Sequence, residues 1–156
     1  MRPLRCIVTD DRVTFEFELD LFNSGSAPAR DIHIAAVVIN AGADQDQHLE
    51  NFFAQAAGPG ERIPVIEPLK RVTFTTQIAT SRNQIQVLEI GGRQVFVPLL
   101  AFNATYRQGR KDGQTSVSYL VGRNGDGDKL APFRLDLGPR VFRGLGARPL
   151  PQDVRK

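Results

Sequence analysis

Between Val13 and Leu21 apolar and polar residues alternate without a break, with Val13, Phe15, Phe17, Leu19 and Leu21 set against Thr14, Glu16, Glu18 and Asp20. A period of two over this length places all five apolar side chains on one face of an extended strand, whereas a helix scatters them around its circumference. The chain must therefore build a sheet with one face on a core and the other toward water. The strand stops at Asn23-Ser24-Gly25-Ser26-Ala27-Pro28, where Gly25 accepts a positive φ and Pro28 lacks a backbone donor.

Ile32 to Asn40 alternates next, with Ile32, Ile34, Ala36 and Val38 on one face. The other face, His33, Ala35, Val37 and Ile39, is also mostly apolar, as expected of a central strand or of one covered by the next element. Leu49, Phe52, Phe53 and Ala56 then follow helical spacing. They predict a short amphipathic helix over about 45–56, capped by Asp44 or Asp46, stopped by Gly58-Pro59-Gly60 and lying across one end or edge of a sheet. Further strands are expected at Leu4 to Val8, Arg71 to Ile78, Gln84 to Ile90, Val95 to Tyr106, Thr115 to Val121 and Leu130 to Leu137. Gly91-Gly92 and Asp112-Gly113 read as hairpin turns, the latter joining the two strands on either side of it. Pro98 predicts a break in its ladder.

About eight short strands with one short helix predict an all-β fold, an immunoglobulin-like antiparallel β-sandwich, with a closed barrel as the alternative. The disulfide and tryptophan that pin antibody domains are missing, since the chain has one Cys and no Trp, and its core must rest on aliphatics and ten Phe. Residues 1–138 form the expected sandwich domain. Residues 139–156 form a basic C-terminal tail, packed on the sandwich or partly disordered. No apolar run reaches the roughly 18 residues of a spanning helix.

Chemical signals are sparse. Asn124, Asp126 and Asp128 open like a calcium loop, but the sixth and twelfth positions hold Lys129 and Leu135 instead of Gly and a bidentate Glu. His33 and His48 have no second His or Cys nearby with metal-ligand spacing. Cys6 lies on a strand without a nucleophile signature and reads as a small apolar residue. Ser24 and Ser26 belong to a turn, and Ser116 and Ser118 are expected on the solvent side of their strand. No nucleophile elbow, phosphate loop or zinc-helix motif occurs. The expectation is a protein that is not an enzyme and holds no metal or cofactor.

The net charge of +3 comes from 20 basic and 17 acidic residues. The tail holds Arg140, Arg143, Arg148, Arg155 and Lys156 against Asp153, a balance of +4, which leaves −1 for the remaining 138 residues. Arg107, Arg110 and Lys111 of one turn, together with Arg140 and Arg143, are the candidate anion-binding residues. Five cations over 18 residues are not a dense patch, so no nucleic-acid partner is expected.

Asn23-Ser24-Gly25-Ser26-Ala27-Pro28-Ala29-Arg30-Asp31-Ile32 resembles a turn of bacterial immunoglobulin-like modules. A broader likeness runs through Glu89 to Arg93, Val97-Pro98, Ala101 to Tyr106, Ser118 to Arg123, Asp128 to Phe133 and Leu137 to Arg140. These stretches resemble the C-terminal domain of uncharacterised, membrane-anchored proteins of sphingomonads and related alphaproteobacteria. The resemblance implies the soluble part of a protein tethered to the bacterial inner membrane through an anchor missing from this chain. It implies no activity and no catalytic residue. The expected role is a noncatalytic protein-interaction or structural module that binds a partner protein or self-associates, with an anionic-ligand or carbohydrate-binding sandwich as the alternative.

Overall fold

The computed structural model describes residues 1–55, 60–125, 129–151 and 154–155. Its elements in chain order are β1 (Arg2–Val8), β2 (Arg12–Phe22), β3 (Ala29–Asn40), α1 (Gln45–Ala54), β4 (Gly60–Ile66), β5 (Arg71–Ser81), β6 (Leu88–Ile90), β7 (Arg93–Phe96), β8 (Pro98–Gln108), β9 (Lys111–Asn124), β10 (Leu130–Ala131), β11 (Phe133–Arg134), β12 (Arg140–Phe142), β13 (Leu145–Pro149) and β14 (Val154–Arg155). One sheet has the order β12-β1-β2-β5 and faces a second of order β10-β9-β8-β3-β4, whose β9 also pairs with β13 and β14. A small third sheet, β11-β7-β6, accompanies them. Each sheet keeps separate edges, so the molecule is an all-β sandwich rather than a closed barrel.

The alternation in β2 does what its period requires. Val13, Phe15, Phe17 and Leu19 are buried between the sheets with Cys6 and Val8 of β1, Ile32 and Ile34 of β3, and Phe102 of β8. At one end Phe15 meets Phe133 edge-on at 5.7 Å, and Phe133 meets Phe142 at 5.5 Å. Such contacts contribute about 0.5–1.5 kcal/mol each beyond the area they bury. Both apolar faces of β3 are used. Ile32, Ile34, Ala36 and Val38 belong to the inter-sheet core, while Val37 and Ile39 pack beneath α1 with Leu49, Phe53, Leu99 and Ala101.

Several expectations are corrected in detail. The helix lies on the outer face of the second sheet, not at its end or edge, because β3 and β8 offer it an apolar platform there. Asp44 occupies the cap position but its side chain makes no cap bond, and Asp46 sits within the first turn. The Gly42 N–H instead donates to Gln45 Oε1 at 3.1 Å. Ala56 and the stop at Gly58-Pro59 lie outside the described residues. The Gly91-Gly92 hairpin forms with both φ values positive. β8 and β9 pair as expected, yet their turn is Gly109-Arg110, with Gly109 at φ 62, and Asp112-Gly113 already lies in the ladder opposite Arg107 and Tyr106.

Pro98 does break its strand, and the two pieces enter different sheets. The segment Gln84 to Ile90 is extended as a strand only at β6, and Pro132 separates β10 from β11. β4 was not anticipated, because Glu61, Arg62 and Pro64 hide its pattern. The chain after Gly138 supplies β12, paired with β1, and β13, paired with β9.

Candidate functional site

Two surfaces stand out, and both follow from where strands end. The first is the outer edge of β5. This strand pairs with β2 from Arg71 to Ser81 and with no other strand among the described residues. Its backbone donors and acceptors on the other side are therefore left to water or to a partner. Between Val72 and Ser81 it carries neither a charge nor a proline, and Thr73, Thr75, Gln77 and Ala79 are exposed. Other edges are guarded: β4 carries Glu61, Arg62 and Pro64, and β12 is three residues long.

The second surface is a cleft of about 660 Å³ between the sheets. β1 begins opposite Glu18, so Leu19 to Phe22 of β2 have no neighbour on that side, and the sheets part beneath them. The cleft walls include Leu21, Ile34, Phe102, Ala104, Val117 and Tyr119. Asn23 closes one end of it. The buried Asn23 amide donates to Ala27 O and Ile66 O, both at 2.9 Å, and its Oδ1 accepts from the Gly25 N–H at 2.9 Å and from Gln108 Nε2 at 3.2 Å. One side chain thus ties the β2–β3 turn to β4 and β8.

The acidic outer face of β2 is not a bare carboxylate cluster. Arg5 grips Glu16 through both Nε and Nη2, the latter at 2.8 Å, Arg2 reaches Glu18 at 2.9 Å, and Arg71 binds Asp20. The hydrogen bond from Arg5 holds the Glu16 carboxyl below the usual carboxylate range. Partial desolvation opposes this, and the charges of Arg5 and Arg143 assist it.

The candidate anion-binding residues fall into two separate groups. Arg107, Arg110 and Lys111 lie at the β8–β9 turn, close to the C-terminal end of β2, and Arg107 reaches Asp112 at 3.6 Å. Arg140 pairs opposite Val8, near the N-terminal start of β2. The length of β2, roughly 30 Å at about 3.3 Å per residue, separates them. Arg143 follows β12 beside Glu16. Of the calcium candidates, Asn124 ends β9 and its Nδ2 donates to Leu145 O at 3.2 Å, while Asp126 and Asp128 lie outside the described residues. Among the described residues, no three His, Cys, Asp or Glu side chains gather as metal ligands.

Ser116 and Ser118 are buried, contrary to the solvent side expected for them, because α1 and the C-terminal segment cover that face. Ser116 Oγ donates to Asn103 Oδ1 at 2.8 Å, and Gln114 Nε2 donates to the same atom and to Phe53 O, both at 2.8 Å. The serine proton is thus directed at an amide. His33 is buried two strands away, opposite Thr105, with Nε2 unpartnered among the described residues. Cys6 is fully buried, and its thiol is pushed up to about 12 by that burial, so it carries no thiolate at neutral pH. No helix among the described residues is long and apolar enough to cross a membrane. Searches against family models, curated proteins and solved structures return no match to this chain.

Proposed function

We propose that this protein is a noncatalytic interaction module that pairs with a second copy of itself through β5. The observation that carries this reading is the edge of β5, eleven residues long and, among the described residues, laddered on one side only. Antiparallel pairing about Thr76 is self-complementary. It sets Phe74 opposite Ile78, Val72 opposite Thr80 and Thr75 opposite Gln77 of the second copy. Aromatic and β-branched residues facing each other across strands stabilise a sheet, and within the paired β5 strands no like charges face each other, although Glu61, which accepts from Thr76 Oγ1 at 3.0 Å, lies near the two-fold. The noncatalytic part of the reading is supported by the chemistry of the buried polar groups. The buried Ser116 gives its proton to the Asn103 amide oxygen, and Cys6 is held as a neutral thiol.

The sheet orders β1-β2-β5 and β9-β8-β3-β4 support an immunoglobulin-like description of the sandwich. The likeness to anchored alphaproteobacterial proteins supports a tethered setting, in which confinement to a membrane raises the local concentration for pairing.

Light scattering behind size exclusion, from micromolar to millimolar protein, tests the pairing. The native chain is expected to shift from monomer to dimer. Thr75→Glu with Gln77→Glu places like charges opposite each other and abolishes the dimer, whereas Thr75→Lys with Gln77→Glu strengthens it. A native chain that stays monomeric throughout, or equal behaviour of the two double variants, overturns the proposal.

A further inference from the structure

We infer that the cleft between the sheets is a binding site for a neutral, elongated amphiphile, an acyl chain carrying an uncharged hydroxyl or ester head. Its size lies within the range of ligand pockets, about 300–1,000 Å³. Its shape is long, because its lining extends from Tyr119 on β9 through β8 and β3 to Ile66 on β4, three strand spacings or roughly 14 Å. Along that length the walls are aliphatic and aromatic, with Leu19, Ile34, Ile66 and Phe102 already nearly excluded from water. A chain of methylenes laid there removes further apolar surface from water on both sides, at about 0.8 kcal/mol per buried CH2.

The head-group preference comes from charge. Among the described residues, the lining holds no Lys, Arg, His or Glu, and its one carboxylate, Asp20, is bound to Arg71. Among these described lining side chains a ligand carboxylate or phosphate finds no cation to compensate its lost hydration. The groups at hand are amides and hydroxyls. Gln108, Ser24 and Thr115 offer neutral donors and acceptors, and the Tyr106 hydroxyl lies 3.5 Å from Thr115 Oγ1. These suit an alcohol or an ester carbonyl. No residue of β5 lines the cleft, so its occupation leaves the pairing edge untouched.

The test uses N-phenyl-1-naphthylamine, a neutral dye that brightens in apolar sites, with monoolein and oleate as competitors below their critical micelle concentrations. The native protein is expected to brighten the dye. Monoolein displaces it, and oleate displaces it about tenfold more weakly because its carboxylate stays unpaired. Ala104→Phe, which fills the cleft, abolishes dye binding while the circular dichroism melt remains cooperative. Thr115→Lys supplies the missing cation and brings oleate up to or past monoolein, a gain of function that a misfolded variant does not produce. Absence of dye binding to the native chain, oleate equal to monoolein on the native chain, or an Ala104→Phe variant that binds as before overturns the proposal.

Discussion

At the scale of single residues, electrostatics and hydrogen bonding are organised around β2. Asn23 ends the strand and satisfies the carbonyls of a turn and of a distant strand at once, a role that its place in a Gly/Pro-rich corner does not reveal. Glu16 and Arg5 face each other across the β1–β2 ladder, and the lowered pKa of Glu16 has a consequence for stability. A carboxyl whose folded pKa lies below its unfolded value stabilises the fold above the unfolded pKa, about 4.3 for Glu. That contribution is lost as the pH falls through the lower folded value. Glu16→Gln is therefore expected to lower the melting temperature at pH 7 and to leave a smaller further loss between neutral and strongly acid solution than the native chain shows. Thermal melts at stepped pH check this. Parallel pH profiles for the two proteins would show that the pair does not couple folding to protonation. The pair is partly exposed, so the effect is modest and shrinks with salt.

At the scale of elements, the β8–β9 hairpin shows how tertiary packing overrides a local signal. Asp112-Gly113 is a strong turn dipeptide, yet Gly113 lies within β9, and the Tyr106 ring of β8 occupies the space where its side chain would be. An aromatic ring laid over a cross-strand glycine shields the bare backbone and fixes the register. Strand propensity alone predicts that Gly113→Val stabilises by up to about 1 kcal/mol. The geometry predicts the opposite sign, because the new Cβ collides with the ring, and Tyr106→Thr in the same chain recovers most of the loss. A double-mutant cycle by chemical denaturation measures this coupling. The same contrast explains what could be read in advance. β2 and β3 were legible because one or both of their faces meet a core, which imposes a period. β4 was not, since Pro64 and its charges suit a sheet edge rather than a buried face. The free β5 edge and the cleft depend on which strands end beside which, and that is a property of pairing that no local pattern carries.

At the scale of the molecule, the +4 balance of the last 18 residues looks from composition like a removable basic appendage. In the fold this segment joins the two sheets. β12 extends the first sheet beside β1, β13 extends the second beside β9, and Phe142 between them completes the Phe15–Phe133 stack. Two of its cations, Arg140 and Arg143, are engaged locally. Arg140 lies 5.9 Å from the Phe142 ring and donates to Leu137 O at 3.1 Å, and Arg143 acts on Glu16. A loose basic tail predicts that deleting residues 139–156 leaves a folded, soluble body. A structural strap predicts that the deletion bares the edges of β1 and β9, lowers stability and promotes aggregation through strand pairing. Phe142→Ala separates the two with a smaller change. The strap requires a loss of about 3 kcal/mol, or a fall of roughly 10 °C in Tm for a domain of this size, while a loose tail requires none. Thermal melts with light scattering on both variants decide between them, and an unchanged Tm in Phe142→Ala would return the tail to the status of an appendage.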